Sequence, residues 1–333
     1  MSDYQPPFVV TPLILNQVIE IGELMGHWAA MAGRVSPLLR KENRIRTIQA
    51  SLAIEHNSLS PEQVTALMEG KRVLAPVKDI QEVRNAIQAY EKMPEWKSSR
   101  LADLFCAHRT LMAGLVENAG QLRTGSVGIY RDRQLIHMAP PASQLPRLVD
   151  DLLRWLKVTD LHPLIAGAVF HYEFEFIHPF ADGNGRMGRL WQTLILIEWR
   201  TELAWLPVET LIHYQQERYY QVLRQCDKQS HCTPFIEFIL ENIISALQEG
   251  LATTPRLSEE VSEKMSEEKE CRLTVTEKRI LQILALHPER TAKTLAEECE
   301  ISARTVERYL KALQLKGKLQ RVGANKGGRW RVC

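Results

Sequence analysis

Apolar residues recur every three to four positions through most of the chain, the spacing of helices that bury one face. The pattern predicts helices over about 15–33, 42–57, from Pro61 onward, 77–92, 99–117, 143–158, 161–176 and 186–199. Pro6, Pro7 and Pro12 predict an extended arm before the first of these, because proline lacks the amide a helix interior needs. Strand-like text is confined to about 123–138 and 319–332. In the first of these stretches the short runs 127–130 and 134–138 stand among Gly125, Gly128, Pro140 and Pro141, which predicts a hairpin. On helix 42–57 the stripe Ile45, Ile48, Leu52 continues to Glu55. A carboxylate facing the interior loses several kcal/mol of hydration unless a cation meets it. An arginine partner is therefore expected, with a solvent-facing side chain at a fraying helix end as the alternative.

The last sixty residues read differently. A polar, charged stretch at 251–273 predicts a linker or a solvent-exposed helix, and the domain boundary is expected there. Beyond it, Thr276 is a candidate cap for a helix over 277–286, Pro288 breaks that helix, and a second follows at 292–299. A turn at Ile301 leads into 303–315, where Val306, Leu310 and Leu313 face inward and Arg304, Arg308 and Lys311 outward. Two short runs, 319–322 and 329–332, flank Gly-Ala-Asn-Lys-Gly-Gly. The order resembles a winged helix-turn-helix domain at 274–333, with Lys326 and Arg329 on the wing. Charge separates this tail from the body. From Thr274 onward there are 13 Lys and Arg against 6 Asp and Glu, which leaves 29 against 34 elsewhere. The tail should therefore favour an acidic partner, DNA or protein.

Length and composition narrow the classes. The 333 residues exceed one compact core, and 45% hydrophobic with 25% charged residues excludes disordered and collagenous chains. No run approaches the roughly 20 apolar residues of a membrane span. The first residues, MSDYQPPFVV, lack the layout of a secretory signal, and the six cysteines form no CxxC pair. A cytoplasmic, reducing location is expected.

The chemistry concentrates in HPFADGNGRMGR, residues 178–189. Asp182-Gly183-Asn184-Gly185 cannot comfortably continue a helix, and its glycines let backbone N–H groups turn toward one point. A helix begins at once, as Leu190, Leu194 and Ile197 show. Such a turn at a helix N-terminus is an anion site. Arg186 and Arg189 stand one turn apart and suit a polyphosphate clamp. Asp182 is a hard oxygen ligand suited to Mg2+ between phosphates. His178 is the side chain here that exchanges protons near neutral pH.

This segment resembles the Fic family signature, HxFx(D/E)GNGRxxR, at every defined position. The stretch 120–142 is similar to the family's flap hairpin and its approach, and 217–223 to its adenine-side segment. The resemblance implies a mainly α fold, a Fic-type helical bundle with a small β-hairpin flap, joined to the C-terminal winged helix. It implies an N-terminal helical region over 1–98 with an inhibitory helix at about 42–57, and a core over 99–250. The implied activity is protein adenylyl transfer, with ATP and Mg2+ as cofactors. His178 would be the general base toward a Ser, Thr or Tyr hydroxyl, and Asp182 the metal ligand. Gly183, Asn184, Gly185 and Arg186 would hold the phosphates and Arg189 the γ-phosphate. Tyr220 would pack beside the adenine, and Asp227 matches a nearby base-contacting position. The flap, about 127–141, would pair with an extended target segment. Gly185 leaves room for a diphosphate where Doc-type phosphotransferases carry a lysine, which favours nucleotidyl transfer.

Ser51-Leu-Ala-Ile-Glu55 also resembles the family's inhibitory motif, (S/T)xxxE(G/N), in which the glutamate pairs with the second motif arginine, here Arg189. His56 departs from the motif where Gly or Asn is expected, and Asn57 follows. An autoinhibited enzyme is the expectation. The rivals are a DNA-binding regulator whose core senses nucleotide, and an enzyme of the same fold that uses another nucleotide donor. A target protein, a DNA or protein partner for the winged helix, and a second copy of the chain are the partner classes that follow.

Overall fold

A helix that is apolar almost all round must be buried almost all round; one here is, and it packs against a second whose polar side chains are mostly buried with it. In the computed structural model, which describes residues 4–32, 37–131, 134–271, 275–315, 317–323 and 328–332, α7 (Pro163–Ile177) and α8 (Asn184–Trp199) form this inner pair. Phe170, Phe174, Trp191 and Leu194 are shielded from solvent, each contributing about 2–3 kcal/mol by burial. Gly188, with no side chain, leaves room on α8 for the His171 ring of α7. A Cβ there would lie 2.8 Å from His171 Cδ2. His171 itself is locked between Gln192 Oε1 (2.6 Å) and the Tyr219 hydroxyl (3.1 Å). Burial depresses its pKa to about 3, so it is a neutral structural histidine.

Around this pair lie α1 (Pro12–Ala32), α2 (Pro37–Ala53), α3 (Pro61–Met68), α4 (Val77–Lys92), α5 (Leu101–Leu111) and α6 (Leu145–Val158). After α8 come α9 (Val208–Tyr214), α10 (Gln216–Gln229) and α11 (Thr233–Cys271). A hairpin, β1 (Gly128–Arg131) with β2 (Gln134–Met138), rises between α5 and α6. Its register runs from Gly128↔Met138 to Arg131↔Gln134, with an irregularity after Ile129. The hairpin tip, 132–133, lies outside the described residues. One hydrophobic cluster runs from Ile14 to Leu247, so residues 1–98 and 99–250 share a core. The extended arm holds to Thr11. Proline then opens α1 rather than preceding it, with Thr11 Oγ1 accepting from the Ile14 amide (3.2 Å).

The chain divides into two units, Met1–Pro255 and Arg256–Cys333. The stretch read as a linker is helical through Cys271, as part of α11, and 272–273 fall outside the described residues. In the second unit α12 (Val275–Leu286), α13 (Ala292–Cys299) and α14 (Ala303–Leu315) pack on β3 (Leu319–Val322) and β4 (Arg329–Val332). The two strands pair antiparallel, Leu319 opposite Val332. α12 already includes Val275, so Thr276 lies within the helix instead of capping it. Thr291 does cap α13, in a reciprocal box with Thr294. Lys326 lies outside the described residues. Among those described, no helix is long and apolar enough to cross a membrane.

Candidate active site

α7 ends where the motif begins. His178 closes it with a left-handed backbone, φ 49° and ψ 60°, while its amide still bonds Phe174 O (2.9 Å). A side chain in that region costs about 1–2 kcal/mol, so the neighbourhood must hold it. Gly183 is also left-handed, at φ 81°, and a Cβ there would lie 2.6 Å from Met112 Sδ. Only glycine meets both conditions.

Three buried side chains shape the loop between His178 and α8. Asn184 folds back on it. Its Oδ1 accepts from the Phe180 amide and its Nδ2 donates to Phe180 O, both at 2.9 Å. His108 of α5 stacks on the Phe180 ring, centroids 3.6 Å apart. The Gly120 amide donates to His108 Nδ1 (2.8 Å), so the ring proton is on Nε2, which donates to Asp182 O (2.9 Å). Burial holds the His108 pKa down at about 4, which keeps it neutral. Arg123 donates to the carbonyls of His178 (2.7 Å), Gly125 (2.7 Å) and Pro140 (2.6 Å).

The arginines are held separately. Arg186 donates to Glu82 Oε1 of α4 (3.1 Å), both side chains buried, and approaches Asp182 Oδ1 at 3.4 Å. Glu82 Oε2 accepts from Asn57 Nδ2 (2.8 Å), which ties the end of the α2 segment to the motif. Arg189 is buried against that segment. Its Nε donates to Ser51 Oγ (3.1 Å), and its Nη2 to Ser51 O and to Glu55 Oε1, both at 2.9 Å. Burial works to discharge this guanidinium. The Glu55 carboxylate, with smaller contributions from Tyr219 and Tyr220, outweighs it, and the Arg189 pKa lies above the ordinary arginine value.

Glu55 sits beyond the helix proper. α2 stops at Ala53 instead of running to residue 57, because Leu52 O accepts from both Glu55 N (2.9 Å) and Asn57 N (3.1 Å). His56 takes the left-handed conformation, φ 68°, where glycine or asparagine is usual. The turn lowers the Glu55 carboxylate against the first turn of α8. A Cβ on Gly185 would lie 2.3 Å from Glu55 Oε1 and 3.1 Å from Arg189 Nη1. The seat beside Gly185 is thus filled by an anion of the chain itself. A cavity of about 540 Å3 lies elsewhere, at the other end of α8 between Trp28, Trp96, Leu194 and Ile197.

Asp182 lies half exposed at the loop, its Oδ1 accepting from Gly183 N (2.6 Å). Its Oδ2 is bonded to no described residue. Among the described residues no three or more carboxylates, histidines or cysteines form a metal cage. A single hard carboxylate oxygen suits Mg2+ that takes its remaining ligands from phosphates and water. Tyr220 is half-buried and stands edge-on to Tyr219, centroids 5.2 Å apart. Asp227 lies about two turns further along α10 and accepts from the Tyr172 hydroxyl at 2.9 Å.

Sequence reasoning did not find Glu82, His108 or Arg123, and it named Asn57 only as the residue after His56. His108 had a signal, since it stands four residues from both Leu104 and Met112 on an otherwise apolar face. Arg123 and Glu82 had none, because their partners lie far off in the chain.

Known proteins give the same picture. The model of the Fic/DOC family matches residues 98–196, and that of an HTH domain matches 276–328. The chain is similar to protein adenylyltransferase Fic of Nematostella vectensis, 28% identical over 229 residues, covering 64% of this chain and 50% of that one. The Drosophila melanogaster protein of the same name is 27% identical over 235 residues, covering 67% and 45%. The chain therefore spans about half the length of the curated relatives it matches. Among solved structures, Fic-1 of C. elegans shares the fold, with a TM-score of 0.57 at 20% identity over 73% of this chain and 72% of that one. A Fic family protein from Desulfovibrio desulfuricans G20 is 46% identical with a TM-score of 0.76, covering 99% of this chain and 98% of its own. At that identity along nearly the whole length of both, with the motif folded as a glycine turn into a helix, the chain belongs to the Fic family.

Proposed function

We propose that this protein transfers AMP from ATP to a hydroxyl side chain of a target protein, and that Glu55 holds the activity in check. One observation carries the reading. The Glu55 carboxylate, paired with Arg189, occupies the seat beside Gly185 that a terminal phosphate needs. His178 takes the proton of a Ser, Thr or Tyr hydroxyl. The freed oxygen bonds the α-phosphorus as the bond to pyrophosphate breaks in line. The products are the AMP ester, pyrophosphate and one proton. Backbone N–H groups of Gly183, Asn184 and Gly185 and the Arg186 guanidinium face the charge that develops on the phosphates. Arg189 takes the γ-phosphate once Glu55 leaves, and Tyr220 lies beside the base. Asp182 would hold Mg2+, which would supply neutralisation of phosphate charge. Asp227 stands on the same helix as Tyr220, and its carboxylate, which accepts from the Tyr172 hydroxyl, keeps acceptor sites for the base.

The curated relatives named as adenylyltransferases support ATP as the donor. The test is incubation of Glu55→Gly with α-labelled ATP, UTP and CTP in turn. Label carried onto protein from ATP alone supports the reading. Transfer from another nucleotide alone refutes the donor.

The second unit reads as an acidic-partner module. Arg304, Arg308 and Lys311 are exposed along α14 while Val306, Leu310 and Leu313 are buried. DNA is the first partner to test. Binding should weaken with salt, and Arg308→Ala should reduce the slope by about one. We place the protein in the cytoplasm, where its free Cys106, Cys226, Cys232 and Cys299 suit a reducing environment.

A further inference from the structure

Arg123 lies between two parts of the site that the chain must bring into register. It is buried, and among the described residues its side chain donates to main-chain oxygens. Nε donates to His178 O at 2.7 Å and Nη2 reaches Ile177 O at 3.4 Å. Those are the last carbonyls of α7, where the helix dipole favours a cation. Nη1 donates to Gly125 O (2.7 Å) and Nη2 to Pro140 O (2.6 Å). Gly125 and Pro140 stand on either side of the β1–β2 hairpin base, which a further bond, Ala139 N to Val127 O (3.1 Å), closes. The Arg123 amide adds a bond to Pro179 O (3.0 Å). No carboxylate pairs with it among the described residues, and burial lowers its pKa. Among the described residues, carbonyl dipoles meet the cost of burying that charge. A lysine, a point donor on a single stem, cannot reach four carbonyls on two segments.

We propose that Arg123 is a positioning residue that locks the flap hairpin to the left-handed turn carrying His178, so that the target segment and its general base are presented in one fixed geometry. This rests on the transfer reading above. The phosphate side is braced independently, by His108 and Asn184 on the loop and Glu82 and Ser51 on the arginines. Loss of Arg123 should therefore damage the chemistry and leave nucleotide binding alone.

The test uses the full chain in the Glu55→Gly background, with Arg123→Lys and Arg123→Gln. Three readouts are taken: maximal auto-modification rate with ATP and Mg2+, half-saturating ATP, and exchange of the Ala139 and Arg123 amides. A misplaced base costs on the order of 100-fold. The maximal rate should fall by about that factor in Arg123→Gln and less in Arg123→Lys, with half-saturating ATP unchanged within about twofold. Exchange of the two amides should quicken by about tenfold or more. Guanidinium chloride far below denaturing concentration should recover part of the rate in Arg123→Gln. An equal loss of rate and ATP affinity would mark general unfolding and overturn the proposal, as would unchanged exchange. If Glu55→Gly itself transfers nothing, the transfer reading has failed, and amide exchange still decides the lock.

Discussion

Glu55→Gln should lower the stability of the free protein and raise its affinity for ATP together, two effects of one missing charge. Arg189 has 1% of its side chain exposed and Glu55 32%. Removing one partner of a fully buried pair costs about 3–5 kcal/mol. Solvent screening of a carboxylate one-third exposed reduces that to about 2–3 kcal/mol. For a unit of this size the loss lowers the melting temperature by roughly 4–12 °C. A γ-phosphate that reaches Arg189 then replaces a partner that is no longer there, where in the wild type it must displace one. The same 2–3 kcal/mol returns as about 30- to 150-fold tighter binding. Glutamine keeps the size of the side chain, so the change is one of charge. Calorimetric titration with a non-hydrolysable ATP analogue, beside thermal unfolding without nucleotide, reads both terms. A lower melting temperature with no gain in affinity would refute the reasoning, because Glu55 would then be a structural counter-ion and not an occupant of the phosphate seat.

Three other changes probe separate parts of the site. Gly185→Ala places a methyl where Glu55 Oε1 lies 2.3 Å away. It should expel the glutamate yet weaken ATP binding by about tenfold, and titration that finds tighter binding would contradict the shared seat. Asn184→Ala removes two buried bonds to Phe180 and should cost about 2–3 kcal/mol in urea unfolding, with a slower rate as the His178 turn loosens. His108, at about 4, has a folded pKa depressed below the unfolded value near 6.5. Its stabilisation is present above 6.5 and lost as pH falls toward 4, about 2 kcal/mol of it by pH 5. His108→Gln keeps a donor and an acceptor and should remove that share of the acid sensitivity. Buried Glu173 and Glu209, whose pKa values burial raises, act in the opposite sense in both proteins and cancel in the comparison.

Local pattern carried the parts of the fold that depend on neighbours in sequence. Helices at 77–92, 292–299 and 303–315 and strands at 319–322 and 329–332 have the bounds that periodicity and turn residues predict. Boundaries set by backbone bonding were less legible. The α2 segment ends at Ala53 because the Leu52 carbonyl is taken twice and His56 turns left-handed, neither of which shows in an apolar stripe. Proline at the first position of α1 was read as the end of an arm. In the site, contiguous residues spelled out the glycine turn, the histidine and both arginines. Their supports did not appear, since Glu82 meets Arg186 across 104 positions, His108 meets Asp182 across 74 and Arg123 meets His178 across 55. The Glu55–Arg189 pair, 134 positions apart, was legible through its cause. A carboxylate on a buried stripe needs a cation, and the resemblance named which one.

The central claim is that the anion seat at the start of α8 and the imidazole at the end of α7 act on one substrate. Intact-mass measurement after incubation with ATP and Mg2+ tests it most directly, on the wild type, Glu55→Gly and Glu55→Gly with His178→Ala. The account predicts the mass of one or more AMP groups on Glu55→Gly, little on the wild type and none on the double variant. AMP on the double variant at the rate of the single one, or no AMP on any of the three, would contradict it.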